Sequence, residues 1–161
     1  MTTQAPEGIR YRPAEAQDLP AIIALLNDDM FGHGRNPLYH DARADYDAAF
    51  AEMAGNPDNI VIVAGRDGRI IGCYQLTFIR GLSHRGARRA QIEGVRIASD
   101  LRGQGLGSRM MRDAIQRARD KGANLVQLTT DTRRPHTRRF YESLGFAASH
   151  NGMKLWLDTG P

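Results

Sequence analysis

The stretch from Ala87 to Thr130 constrains the fold more than any other part of the chain. An extended run, Ala87 to Ala98, leads into Arg102-Gly103-Gln104-Gly105-Leu106-Gly107 and then directly into a long helical pattern, Gly105 to Lys121. Leu106, Met110, Met111, Ala114, Ile115 and Ala118 form one apolar stripe, and Gly122 stands where a helix ends in the left-handed conformation. A buried strand, Leu125 to Thr130, is predicted next. Strand, one-sided helix and strand make a crossover unit, with the two strands parallel in one sheet. Three alternate glycines let the backbone approach a ligand closely. Their amides open toward a helix N-terminus, where partial positive charge favours anions. Such a segment is built to cradle a pyrophosphate. A dinucleotide fingerprint would need glycine where Ser108 stands, and the Gly-Lys-Ser/Thr of a P-loop is absent. On spacing alone, a flexible strand–helix turn is an equal reading.

The remaining pattern fills in a mixed α/β domain. Ile9 to Arg12 reads as a strand ended by Pro13. Leu19, Ile22, Ile23 and Leu26 repeat at helical spacing, with Asp18 as the expected N-cap and Pro20 in the first turn. Asn27 to Asp41 reads as a loop, and Ala42 to Ala54 as a weaker helix stopped by Gly55. A β-meander follows: Ile60 to Ala64, a turn at Asp67-Gly68, Ile70 to Ile79, a basic loop from Gly81 to Gly86, and Ala87 to Ala98. Beyond the crossover lie a helix, Arg134 to Leu144, and a closing hairpin of Phe146 to Ala148 with Met153 to Leu157 around Asn151-Gly152.

Composition narrows the function classes. The 161 residues are one domain's worth of chain, 1–161, with 41% apolar and 25% charged residues. The longest apolar runs, such as Ala21 to Leu26, fall far short of the ~18 residues of a spanning helix, so no membrane partner is expected. Cys73 is the single cysteine, and the five histidines are scattered, so no metal site is expected. MTTQAPEGIR has no apolar signal region, which makes the cytoplasm the expected compartment. Seven basic residues face eleven acidic ones up to position 80, and fifteen face seven from 81 onward. The basic residues are spread through patterned structure, not gathered in a tail. That favours a bound small anion over nucleic acid.

Two motifs carry a family resemblance. Arg102-Gly103-Gln104-Gly105-Leu106-Gly107 after a strand resembles the Arg-x-x-Gly-x-Gly pyrophosphate motif of the GNAT superfamily, the acyl-CoA-dependent N-acyltransferases. Phe140-Tyr141-Glu142-Ser143-Leu144-Gly145-Phe146 is similar to the family's Phe-Tyr-x-x-x-Gly-Phe. One helix and one strand separate them, as in the family, and the element order matches over nearly the whole chain. The resemblance implies an α/β (α+β) GNAT fold. That fold is a central mixed, mostly antiparallel sheet with a V-shaped opening between two parallel strands, flanked by about four helices.

It also implies acetyl transfer from acetyl-CoA, as co-substrate, to a primary amine of a small molecule in a ternary complex. A protein lysine or N-terminal amine, or a non-catalytic acyl-CoA-binding module, is the alternative. A homodimer is compatible with all three. The strand before the glycines fits this picture. Ile92 has the opposite parity to Val95 and Ile97, and an extra residue near Gly94 would bring all three to one face, as a β-bulge does. In the family such a bulge splays the strand and frees an amide for the thioester carbonyl. The resemblance places Glu93 as general base, Val95 as donor of the free amide and Tyr141 as the acid that protonates the leaving thiolate. It assigns cofactor contacts to Val95, Arg96, Ile97, Arg102, Gly103, Gln104, Gly105, Leu106, Gly107 and Ser108. Arg134 stands where many members have asparagine, so it meets either a phosphate or solvent. The acceptor is expected to be chosen by Asn27 to Asp41 and Ser149 to Gly152, with Asp28 and Asp29 as candidate attractors of a cationic amine.

Overall fold

The computed structural model describes residues 8–28 and 37–157, and the chain divides into two units, Met1–Gln127 and Leu128–Pro161. Five strands make one sheet in the order β1-β2-β3-β4-β5: β1 Arg10–Pro13, β2 Asn59–Arg66, β3 Arg69–Arg80, β4 Arg88–Ile97 and β5 Leu125–Leu128. The first four strands pair antiparallel. β4 and β5 run parallel. Asn124 exchanges hydrogen bonds with Arg88 at their starts, and Gln127 donates to Gln91 three residues on. Pro13, which lacks an amide hydrogen, is tolerated inside β1 because β1 is an edge strand.

The helices are α1 Leu19–Asn27, α2 Arg43–Ala54, α3 Leu106–Asp120 and α4 Pro135–Ser143. Each face of the sheet has its own packing partner. On one face, Ile22 and Leu25 of α1 bury against Val63 and Cys73, with Val61 packed beside them. On the other, the α3 stripe covers Ile62, Tyr74, Leu76 and Ile92, and Met110 and Met111 are fully buried. α3 ends as its sequence predicts. Gly122 takes φ +74, its amide reaches Arg119, and the amide of Ala123 reaches Ala118.

Several local expectations need correction. Asp18 stands at the N-cap of α1, as expected, but its side chain makes no cap hydrogen bond to that helix. A 3₁₀ turn, Ala16–Asp18, precedes that helix, and the Asp18 carboxylate accepts from Arg12 at 2.6 and 2.9 Å and from the Glu15 amide at 2.8 Å. The Arg12 guanidinium holds that carboxyl below its ordinary range. The segment Gly81 to Gly86 contains a helical turn, Ser83–Gly86, with His84 and Arg85 at positive φ. β5 is not a buried strand: it alternates between exposed and half-buried positions, because it lies at the sheet's edge. In the second unit no strand forms between 146 and 157, so the closing hairpin is absent there, and Met153, Leu155 and Leu157 are exposed. Alternation of apolar residues and the Asn151-Gly152 turn were the signals for that hairpin, and neither supplies strand partners.

One glycine is required by close approach. A Cβ on Gly72 would lie 2.9 Å from the Arg96 carbonyl oxygen, 2.9 Å from Ile97 and 3.2 Å from the Met110 sulfur. The Arg96 carbonyl is backbone and cannot move without moving β4. Gly72→Ala should therefore destabilise the protein by about 1–3 kcal/mol, read as a lowered midpoint in chemical denaturation. A variant as stable as the parent would mean that β4 moves freely against β3 at this point.

Candidate active site

The register of β3 against β4 slips by one residue at a defined place. Gln75 pairs with Glu93, but Cys73 pairs with Arg96. Tyr74 therefore faces two residues, Gly94 and Val95, and neither has a partner in the register. This is the expected β-bulge. Gly94 takes φ +60, a conformation that glycine adopts without strain, and a Cβ there would also meet the Leu26 side chain at 3.6 Å. The extra residue brings Ile92, Val95 and Ile97 to the α3 face. Cross-strand partners share a face. Glu93, opposite Gln75 and in line with Val61, thus projects to the α1 face, where it is exposed.

Two contacts fix the bulge from either side. On the α3 face, Tyr74 is fully buried and its hydroxyl donates to Asp113, which also accepts from Arg117 at 2.8 Å. Burial, with Asp113 adding, pushes the Tyr74 hydroxyl far above its ordinary value, so it remains a donor. On the α1 face, the Cys73 sulfur sits 3.7 Å from the Gly94 carbonyl as a weak donor. The sequence offered no signal for either role, since both residues sit in an unremarkable apolar run. Burial pushes the Cys73 thiol up to about 12, and Arg96 opposes the shift.

β4 ends in a 3₁₀ turn, Ser99–Leu101, and the glycine loop follows. Gly103 and Gly105 take φ +77 and +75, and a Cβ on either would meet nothing within 4 Å. The loop is therefore open on its outer side. Gly105 is the left-handed N-cap of α3. Its carbonyl accepts the first helical bond, from Arg109. The amides of Gly103 to Ser108 donate to no backbone carbonyl among the described residues. A run of unspent N–H groups at a helix N-terminus favours negative charge.

The Arg102 side chain donates to the Ile97 carbonyl at 3.2 Å and to the Asp28 carbonyl at the end of α1. The Asp28 carboxylate accepts from the Ser99 amide at 3.1 Å. Together these bonds tie the end of α1 to the end of β4. Asp29, and with it residues 29–36 of the expected acceptor loop, lie outside the described residues. Arg96 donates to the Val95 carbonyl at 2.9 Å.

In the second unit, Tyr141 is buried on α4 between two edge-on rings, Phe140 at 5.1 Å and Phe146 at 5.7 Å. The Tyr141 carbonyl accepts from both Leu144 and Phe146, which turns the chain back at Gly145 (φ +94). The motif Phe-Tyr-x-x-x-Gly-Phe is thus a helix end folded over its own tyrosine. Arg134 is the N-cap residue of α4, beside the Asp131–Arg133 ion pair. Arg133, with Arg134 adding, holds the Asp131 carboxyl far below its ordinary range. Among the described residues, no group of three His, Cys, Asp or Glu side chains gathers as a metal site, and no helix is long and apolar enough to cross a membrane.

The profile of the Acetyltransferase (GNAT) family matches residues 19–146, which include the bulge, the glycine loop and the tyrosine motif. The chain belongs to this family. As a GNAT acetyltransferase it is 29% identical over 139 residues to an aminoalkylphosphonate N-acetyltransferase of Salmonella typhimurium, covering 86% of this chain and 85% of the relative. It is 29% identical over 154 residues to glucosamine 6-phosphate N-acetyltransferase 1 of Oryza sativa subsp. japonica, covering 93% and 88%. Among solved structures, a transcriptional regulator from Bacillus halodurans C-125 matches with a TM-score of 0.89 and 42% identity, covering 92% of this chain and 99% of that one. A putative acetyltransferase from Agrobacterium tumefaciens str. C58 matches with a TM-score of 0.80 and 28% identity, covering 91% and 99%.

The state of Cys73 gives a direct check on the bulge's packing. Its raised thiol pKa means that the neutral form prevails in the folded protein at all ordinary pH. Iodoacetamide at pH 8 should leave Cys73 unmodified in the folded GNAT protein and label it on unfolding. The associated stabilisation is complete below the ordinary thiol pKa and is lost as pH rises toward 12. Rapid labelling of the folded protein would contradict the placement.

Proposed function

We propose that this protein transfers the acetyl group of acetyl-CoA to the primary amine of a small molecule that also carries a phosphonate or phosphate group. The observation that carries the reading is the bulge at Gly94–Val95, set directly before an open run of amides at the start of α3. Acetyl-CoA supplies an activated thioester. The Gly103 to Ser108 amides bind its diphosphate. The Val95 amide, outside the β3 register, donates to the carbonyl oxygen as negative charge develops there. Glu93 takes the proton from the attacking amine, directly or through water, and Tyr141 gives a proton to the departing sulfur. Val95, Arg96 and Ile97 line the thioester's path along β4. No covalent bond to the protein is made.

Two features support an oxyanion on the acceptor. Both enzymes named above act, by their names, on an amine that carries a phosphorus oxyanion. In this chain Arg89, paired with Ile79, lies on the same face of β4 as Glu93, four residues or about 13 Å along the strand. The long Arg89 side chain can bridge part of that span, which makes its guanidinium a candidate partner for the oxyanion.

Thiol release from acetyl-CoA tests the reading, with 2-aminoethylphosphonate and glucosamine 6-phosphate set against ethylamine and glucosamine. The phosphorus-containing amines should be preferred at least tenfold in kcat/KM. Equal rates for the neutral amines would remove the oxyanion from the account. Glu93→Gln should bind acetyl-CoA normally, turn over roughly 100-fold more slowly at neutral pH and recover in part at high pH, where more amine is free. A pH–rate profile that overlays the parent would show that the proton leaves by another route.

A further inference from the structure

The contacts between α3 and the sheet fall at regular steps along the helix. Met110 lies over Gly72, its sulfur 3.2 Å from where a Cβ would stand. Asp113, one turn on, accepts from the Tyr74 hydroxyl. Arg117, a further turn on, donates to Asp113 at 2.8 Å and to the Tyr11 carbonyl of β1 at 3.3 Å. Residues three and four apart share one face of a helix, and residues two apart share one face of a strand. Gly72 and Tyr74 of β3 therefore meet Met110 and Asp113 of α3 as two matched steps.

The apolar and the polar contact do different things. Met110 and Met111 hold α3 against the sheet, but burial is not directional and a flexible side chain tolerates a sliding partner. A hydrogen bond to a carboxylate is both strong and directional. Tyr74 is fully buried, and phenylalanine would fill almost the same space. What its hydroxyl adds is a fixed point between β3 and α3. One oxygen of Asp113, Oδ2, accepts from both Tyr74 and Arg117, so the three side chains join β3, α3 and β1 in one chain. Fixing register is the best-attested use of a buried polar contact.

The place of this fixed point links it to the site. Tyr74 is the β3 residue that faces Gly94 and Val95 across the bulge. Asp113 lies seven residues after Leu106, about 10 Å along the helix from its first turn. Tyr74 is thus held by its backbone opposite the bulge and by its hydroxyl to the helix that opens with the amide run.

We infer that Tyr74 is a positioning residue for acetyl transfer: through Asp113 it sets the distance from the Val95 amide to the amides of Gly103 to Ser108. The carbonyl oxygen and the diphosphate of one acetyl-CoA molecule must meet those two places together. A helix displaced by about 1 Å would still bind the diphosphate but would carry the thioester away from Val95, and a misplacement of that size can cost about 100-fold in rate. The inference rests on the acetyl-transfer reading above and adds to it the contact that keeps the two places in register.

The test compares the parent with Tyr74→Phe, Asp113→Asn and Asp113→Ala. Ile62→Val serves as a control that thins the same core outside the Tyr74–Asp113–Arg117 chain. The quantities read are kcat and KM for 2-aminoethylphosphonate, and Kd for CoA, which lacks the acyl carbonyl. In Tyr74→Phe, kcat should fall roughly tenfold or more, while KM for the amine and Kd for CoA stay within about twofold of the parent. Asp113→Asn keeps a carbonyl oxygen for the Tyr74 hydroxyl and should retain more of kcat than Asp113→Ala. Ile62→Val should lower the melting temperature and leave kcat unchanged. An unchanged kcat in Tyr74→Phe would overturn the inference. So would a loss of CoA affinity as large as the loss of rate, or an Asp113→Asn protein no more active than Asp113→Ala. Should Tyr74→Phe fail to fold, the two Asp113 variants decide by the same criteria. A second readout needs no turnover. In the parent, acetyl-CoA but not CoA should shift the Val95 amide resonance, and in Tyr74→Phe the shift at Gly105 should persist while the one at Val95 is lost. Equal Val95 shifts in both proteins would overturn the inference. If the parent releases no thiol with any amine, the acetyl-transfer reading fails, and the amide resonances still decide whether Tyr74 couples the bulge to the amide run.

Discussion

One extra residue in β4 governs the arrangement. Tyr74 on β3 faces both Gly94 and Val95, and the sheet absorbs the mismatch because Gly94 adopts a left-handed conformation and because β4 is held firmly on either side of it. Below the bulge, Ile92 packs into the α3 face. Above it, Gly72 has no side chain, so β4 lies close against β3 at Arg96 and Ile97. Without the bulge, Val95 and Ile97 would turn to the α1 face and Arg96 would turn into the α3 core, where its charge would have to be buried. The price of the irregularity is a pair of residues outside the ladder, and that is the feature from which an acyl-transfer site can be built.

The bulge also separates two chemistries by face. The strand leads through a 3₁₀ turn into the loop whose amides open at the N-terminus of α3. The α1 face carries a carboxylate at Glu93 and a cation at Arg89. Arg102 and Asp28 join the two regions, since the clamp they form fixes the end of α1 against the end of β4. An arginine within a glycine loop would ordinarily be assigned to the phosphates. Here two of its nitrogens also donate to the Ile97 and Asp28 carbonyl groups.

Much of this was legible in the residues. The parity of Ile92 against Val95 and Ile97 located the bulge, because side-chain alternation is strict in a strand. The glycine spacing and the α3 stripe located the crossover, and Gly122 fixed the helix end. The features that sequence could not supply depend on contacts between distant positions. Gly72 looks like any strand glycine until Arg96 and Met110 are placed around it. Tyr74 reads as a core aromatic until Asp113 accepts its hydroxyl. Asp18 takes the N-cap position, but its carboxylate turns to Arg12, from another element, and not to the α1 amides. The apolar alternation from Met153 to Leu157 resembled a strand, yet no neighbouring strand meets it in the second unit.

The central claim is that the amides of Gly103 to Ser108 form the diphosphate site of an acyl-CoA-dependent acetyltransferase. The most direct measurement is the thermal shift produced by acetyl-CoA in the parent and in Gly105→Asp. The parent should gain about 2.7 kcal/mol of stability at a hundredfold excess over Kd. Nothing lies within 4 Å of a Cβ at Gly105, and aspartate tolerates the left-handed conformation better than most residues, so the variant should remain folded. Its carboxylate would stand where phosphate oxygens are expected, and the shift should vanish. A folded Gly105→Asp protein that binds acetyl-CoA as tightly as the parent would contradict the account.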